Sequence, residues 1–351
     1  MKLALAVSFV YIIIGIFGAE RLALLLGADS DTLGMTRTYL TVTLCFAPFY
    51  LMNNTLLAFV RNDNNPNLAM IAMITGSVLN VILDYIFMFP LGMGMFGAAF
   101  ATGLAPIISM GVLSIHFIKK KNSFRLIKCK VKLRVLADII KLGMSAFVTE
   151  ISSAIALITF NLIILQINGN LGVASYGIVA NMALIGVAVF TGVAQGIQPL
   201  VSRSHGKRNI RDLRKIKKYS IITALILSVL IYAGMFFKSD TIISIFNSEN
   251  SREIADLTKT GIEIYFLGFL FAGFNIVISM YLSATERARD AFIISISRGC
   301  LIIVPLVILM SRVWDMSGVW LAFVITEFIV AIFSTYLLLK ERKARRIQKT
   351  S

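Results

Sequence analysis

Residues 61–110 read RNDNNPNLAMIAMITGSVLNVILDYIFMFPLGMGMFGAAFATGLAPIISM. This is a charged turn, a long apolar run, a short loop containing glycine and a second long apolar run. Residues 287–330, RARDAFIISISRGCLIIVPLVILMSRVWDMSGVWLAFVITEFIV, follow the same plan. Gly97 and Ala98 pair with Gly318 and Val319, an offset of 221 residues, and Tyr11 pairs with Tyr232 at the same offset. Tyr39 stands 22 residues before Arg61, as Tyr265 stands 22 before Arg287. Residues 1–118 therefore echo roughly 221–340. Two further apolar segments, within 136–201, have no counterpart, so a duplicated membrane protein is expected to carry a matching pair ahead of Met1.

Apolar residues make up 58% of the 351 and charged residues 15%, where a soluble domain carries about 25% charged residues. Several apolar runs exceed the roughly 20 residues that cross a bilayer. Ten spans are expected, at 3–19, 35–58, 67–90, 96–118, 138–166, 174–201, 219–237, 261–284, 291–311 and 317–339. The fold class is an all-α polytopic membrane protein with ten of an inferred twelve transmembrane helices. The first span resembles a signal peptide, but it continues to Ala19 without a good cleavage site and has a repeat partner inside the chain.

The net charge of +16 is no nucleic-acid signature, because its distribution is that of a membrane protein. Basic residues gather in Lys119–Arg134, Arg203–Lys218 and Lys340–Lys349, alternating with loops that are uncharged or of mixed sign. That is the positive-inside pattern, and it puts the basic loops and both termini in the cytoplasm. A six-helix unit starts and ends on one side, so two copies form parallel lobes related by a pseudo-two-fold along the membrane normal. The N-terminal lobe is expected at 1–118 (four helices of six), a basic cytoplasmic linker at 119–135, the C-terminal lobe at 136–340 and a basic tail at 341–351. Apolar residues Phe124, Leu126, Ile127, Val131, Leu133 and Val135 among the linker's lysines suit either a segment lying on the anionic inner leaflet or a plain solvated connection.

An ionised side chain in mid-span is costly, and few chains keep one without a use. Asp84 is one, with Asn80 a turn before it and Ser77 three residues further back, on one helix face. Thr102 lies ten residues beyond the turn at Gly92, Asp84 eight before it and Asn80 twelve, so the hydroxyl returns to a depth between the two. A carboxylate, an amide oxygen and a hydroxyl are hard oxygen ligands for a monovalent cation or a proton. The alternative is that Asp84 is hydrogen-bonded and locks the hairpin. Glu150 is the second, among Thr149, Ser152 and Ser153. Desolvation there would favour its protonated form and suit it to coupling, or it lines a wet cavity without that role. Gln195, Gln198 and Asn275 are further candidates to line a cavity, and Asn161 and Gln166 lie further along the span of Glu150, with Asn161 on nearly the same face. Pro48, Pro106, Pro199 and Pro305 can kink their spans. The 15 methionines and 25 phenylalanines would suit organic cations as cargo, though most belong to packing or lipid-facing surface.

Cys45, Cys129 and Cys300 have no paired spacing, and His116 and His205 sit near span ends as interfacial residues rather than transition-metal ligands. No G-x-x-x-x-G-K-[ST] loop and no H-E-x-x-H or G-x-S-x-G motif occurs, so neither ATP hydrolysis nor such catalysis is expected, and no cofactor is called for. A secondary transporter remains.

Gly76–Asp84 (GSVLNVILD) with Tyr85-Ile86-Phe87, then Met93–Thr102 (MGMFGAAFAT), and Gly192–Val201 (GVAQGIQPLV) with Gly206 resemble the multidrug and toxic compound extrusion (MATE) family, and within it the MepA-like branch of Gram-positive exporters. The resemblance covers essentially the whole chain. It implies two six-helix lobes, and exchange of Na⁺ or H⁺ for organic cations or drugs by alternating access. It implies an N-lobe cation site at Asn80, Asp84 and Thr102, and a second-lobe coupling acid at Glu150. It also implies two earlier helices, with an acidic residue, that this sequence lacks. The alternatives are a lipid-linked polysaccharide flippase of the same superfamily, for which Arg298 is the one candidate cavity cation, and an inactive truncated membrane protein. Oligomeric state stays open.

Overall fold

The computed structural model describes residues 1–26, 32–120, 122–123, 133–247 and 251–350, and only the backbone of 134, 138, 141, 142, 145, 146 and 340–350. Most of the linker, Cys129 and the side chains of the basic tail lie outside the described residues. Among the described residues every regular element is helical. The chain divides into two compact units, Met1–Lys132 and Leu133–Ser351.

The first unit contains α1 (Lys2–Phe17), α2 (Ala19–Leu25), α3 (Leu33–Cys45), α4 (Ala47–Asn62), α5 (Pro66–Met88), α6 (Gly94–Leu113) and the short α7 (Ile115–Ile118). The second contains α8 (Leu133–Gly206), α9 (Ile210–Phe237), α10 (Ser239–Phe246), α11 (Arg252–Tyr265), α12 (Phe269–Ala284), α13 (Ala288–Ile296) and α14 (Ile303–Thr350). A π-turn, Ser297–Leu301, joins α13 to α14. Six helical stretches are long and apolar enough to cross a bilayer as they stand, and two bent pairs bring the number to eight. Two of these, Phe147–Gly206 at 60 residues and Ala288–Leu339 at 52, are about twice a crossing in length. The helical φ/ψ breaks at Gly169 (φ 59°) in the first and at Trp314–Asp315 (Asp315 φ 46°) in the second. Among the described residues the helices therefore supply ten stretches of crossing length.

The breaks differ from the expected loops. The first span ends at Phe17 and bends by 84° at Gly18 into α2, inside what reads as a loop. The second is broken at Phe46 by 49°, with Pro48 in the first turn of α4, where its missing N–H costs no helix bond. The expected loop at 167–173 is helical except for Gly169. The expected loop at 238–259 contains α10 and the start of α11.

The repeat is real, but part of its sequence register needs correction. Gly94 (φ 53°) and Asp315 share a left-handed conformation at the 221 offset, and α5 and α13 start 222 apart, at Pro66 and Ala288. α4 and α12 also start 222 apart, at Ala47 and Phe269. Arg61 thus aligns with Ser283 rather than Arg287. α3 and α11 start 219 apart, which aligns Tyr39 with Thr258 rather than Tyr265. The extra 3-10 turn between α11 and α12, Phe266–Gly268, accounts for the three-residue change between these two offsets.

The two cores differ in grain. The second unit packs large rings such as Phe160, Phe190, Phe266, Phe269 and Trp320. Tyr265 stacks on Phe323 with centroids 4.0 Å apart. Phe190 and Phe269 seat reciprocally over Gly273 and Gly186. The first unit buries smaller residues, including Leu56, Leu57, Val60, Ala69, Ala72 and Leu113. Its α5 and α6 meet at small residues, Gly76 against Ala105 and Ser109, as membrane helices do without a hydrophobic drive between them.

Candidate cation-binding site

The α5–α6 hairpin is set from both ends. At the start of α5 the Asn65 side chain accepts from the Leu68 N–H (3.3 Å), and Pro66 takes the first helical position. At its far end Gly92 (φ 60°) and Gly94 reverse the chain. Gly76 lies against Ala105 and Ser109, and Gly97 against Phe87. These contacts fix the register, which brings Thr102 level with the turn of α5 between Asn80 and Asp84.

Thr102 is tied in place twice. Its hydroxyl donates to the Ala98 carbonyl (2.9 Å), and its own carbonyl accepts from the Tyr50 hydroxyl of α4 (2.8 Å). Asp84 acts electrostatically on that same tyrosine. Ser77 is exposed, whereas Asn80 and Asp84 are half-buried. The buried atoms Asp84 Oδ1 and Asn80 Nδ2 have no hydrogen-bond partner, and neither do Thr43 Oγ1 on α3, Asn53 Oδ1 on α4 and Ser109 Oγ on α6. Leaving such a group unmade costs roughly 1–3 kcal/mol. All five belong to the first unit, and among the described residues the second unit has none. Tyr50, Thr43 and Asn53 were not singled out from the sequence. Uncharged polar residues are common in spans, and only the fold tells which ones lack partners.

Glu150 is exposed rather than enclosed by the helices of its own unit. Ser152, two residues on, is the buried one, with its Cβ against Gly299 of the π-turn. Two residues are about 200° around a helix, so Glu150 faces away. Gln195, Gln198 and Asn161 are half-buried, and the Asn161 amide donates to the Leu157 carbonyl (3.0 Å).

Asn275, expected to line a cavity, is fully enclosed instead. Its amide donates to Glu327 Oε2 (2.7 Å) and to the Glu327 carbonyl (2.9 Å), and its Oδ1 accepts from the Ser334 hydroxyl (3.2 Å). Arg298 completes the cluster, with Nε 2.8 and 3.0 Å from the two carboxylate oxygens and Nη2 2.8 Å from Oε1. Glu327 is 2% exposed and Arg298 19%. Sequence reasoning passed over Glu327, although the rule that selects Asp84, a charge inside an apolar run, selects it equally.

His116, expected at the interface, is also buried. Asn65 Oδ1 is taken by the Leu68 N–H, so the Asn65 amide faces His116 Nδ1 (3.2 Å) and His116 Nε2 donates to Asp63 (2.9 Å). Ser123 donates to Asp63 from its backbone N–H (2.8 Å) and from its hydroxyl. Burial pulls the Asp63 carboxyl upward, but these bonds outweigh it and hold the group below the ordinary carboxylate value.

Comparison with known proteins agrees with this architecture. The chain is 28% identical over 347 residues to the multidrug export protein MepA of Staphylococcus saprophyticus, covering 96% of this chain and 75% of that protein. It matches an outward-facing structure of a multidrug resistance MATE family transporter with a TM-score of 0.88 at 23% identity, over 99% of this chain and 78% of the other. A crystal structure of MATE in complex with MaL6 matches with a TM-score of 0.90 at 23% identity, over 100% and 78%. The profile of one family, MatE, matches residues 1–86 and 146–309. Repeated helical units, a polar α5–α6 hairpin and a profile covering most of the sequence lead to one assignment: the chain belongs to the MatE family.

Proposed function

We propose that this chain is a multidrug efflux transporter that exchanges an inward monovalent cation, Na⁺ or H⁺, for outward organic cations or drugs by alternating access. It would sit in a bacterial plasma membrane with both termini cytoplasmic, a placement supported by the alternation of basic and non-basic loops. The observation that carries the reading is the Asp84 carboxylate inside an apolar span, with one oxygen unpartnered, Asn80 a turn before it and Thr102 at its level on α6. A cation or proton that binds there more tightly in one conformation than in another shifts the population between them, and that differential is the coupling. The relatives named for multidrug export support the cargo class. Glu150, exposed in the second unit, would be a second coupling acid or a cavity residue, and the half-buried Gln195 and Gln198 would line a cavity without titrating.

The test is ion-driven ethidium efflux from proteoliposomes under a Na⁺ or a proton gradient. Asp84→Asn is expected to abolish gradient-driven efflux while drug binding persists, and the gradient that drives the unaltered protein names the ion. Unchanged coupled efflux in Asp84→Asn would sink the site. The polysaccharide flippase reading loses its residue support, because Arg298 is already neutralised by Glu327 and is not a free cation for a pyrophosphate.

A further inference from the structure

The Glu327 cluster of the second unit contains a carboxylate, an amide and a hydroxyl, from Glu327, Asn275 and Ser334. The hairpin of the first unit offers the same three groups, from Asp84, Asn80 and Thr102. The two sets differ in what faces the carboxylate. Asp84 Oδ1 has no partner. Glu327 has a guanidinium against both oxygens.

We infer that Arg298 is a tethered cation. It occupies the cation position of a polar site in the second unit, and that unit therefore exchanges no coupling ion at Glu327. The backbone around Arg298 supports this. Arg298 stands in the π-turn, where the Ile302 N–H reaches back to the Ser297 carbonyl (3.1 Å). π-turns mark local insertions and are frequent at functional sites. The turn is pressed from behind, since a side chain at Gly299 would lie 2.9 Å from Ser152 Cβ. Arg298 is thus aimed at Glu327 by backbone packing, and it covers a carboxylate that is itself almost fully buried. Tyr265 lies within electrostatic reach of both charges. An intramembrane carboxylate must be neutralised by something. Here a covalently attached guanidinium does it, so no ion from either side is needed.

The inference rests on the cation-coupling reading only for its second half, and the experiment separates the two. Methylguanidinium is the probe, applied to the full chain in lipid nanodiscs, with binding read by calorimetry and melting temperature. Unaltered protein should ignore it. Arg298→Ala should melt lower and recover with methylguanidinium, binding it at least about tenfold more tightly than Arg298→Ala/Glu327→Gln does. A folded Arg298→Ala that neither binds nor recovers overturns the assignment. The doubly neutral Arg298→Gln/Glu327→Gln guards against a single variant that fails to fold. Its gradient-driven ethidium efflux should stay within about twofold of the unaltered protein. Loss of the ion dependence with drug binding intact would mean that the pair takes part in coupling, and would overturn the second half. Efflux that stays coupled in Asp84→Asn would break the first-unit reading alone, because methylguanidinium recovery in Arg298→Ala does not depend on it.

Discussion

Asn53 and Asn275 occupy the same place in the two repeats, 222 residues apart on α4 and α12. The oxygen of Asn53 has no partner, while Asn275 uses its oxygen and its amide in one closed network. The contrast extends to the neighbouring helices. By the same offsets Asn80 falls on Leu301 or Ile302, Asp84 on Pro305 or Leu306, and Thr102 on Phe323. The polar positions of the first unit are apolar in the second. The charges of the second unit fall in turn on Gly76 or Ser77 and on Pro106. A common backbone plan has thus been filled with two opposite solutions. One unit leaves buried polar atoms unsatisfied, at a standing cost in stability. The other satisfies them internally, which rigidifies the cluster and removes its capacity for exchange.

The largest effect that could break this comparison is on stability. Glu327→Gln or Arg298→Met alone leaves a buried charge uncompensated and should cost about 3–5 kcal/mol, while Arg298→Met/Glu327→Leu together should come close to neutral. Melting in nanodiscs checks it, and equal losses in single and double variants would show that the pair is not a unit. Next come the two hairpin glycines. A Cβ at Gly318 would sit 2.0 Å from the Met310 carbonyl oxygen, whereas at Gly97 it would meet side-chain atoms of Met93 and Phe87 at 2.9 Å. Both sets of atoms are fixed to the backbone, so Gly318→Ala should cost ~3 kcal/mol and Gly97→Ala ~2 kcal/mol, because the overlap at Gly318 is the deeper. The order of the two melting temperatures decides it.

Asp84→Asn should move stability by less than about 1 kcal/mol, since no partner is lost. A loss as large as that of Glu327→Gln would mean that Asp84 locks the hairpin, which is the structural alternative to an ion site. The smallest effect concerns Asp63, a satisfied carboxylate in the unit whose Asp84 is not. Its folded pKa is depressed, so its contribution is present above the unfolded value of about 3.9 and is lost as pH falls through the lower folded value. Asp63→Asn should lower the melting temperature near neutral pH and lose that difference only in acid below about pH 4. A gap that does not change with pH would remove the carboxylate from the account.

Asp84, Asn80 and Thr102 could be found by counting, because a hairpin with a known turn fixes depth along both of its arms. The pairing of Arg298 with Glu327 could not. These residues are 29 apart on different helices, and a π-turn shifts the face that Arg298 presents. His116 was misread for the same reason, since its partner Asp63 lies 53 residues away. The bends at Gly18 and Phe46 were illegible because hydropathy averages over a window and does not register a change of axis.

The sequence by itself determined that the chain is an all-helical membrane protein built on a repeat. Those properties are sums over neighbouring residues, and transfer into a bilayer is paid residue by residue along the chain. Only the tertiary structure decided which buried polar groups have partners. That depends on the rotation of each helix about its axis and on its register against the next, and a few tenths of a turn separates a bonded asparagine from an orphaned one.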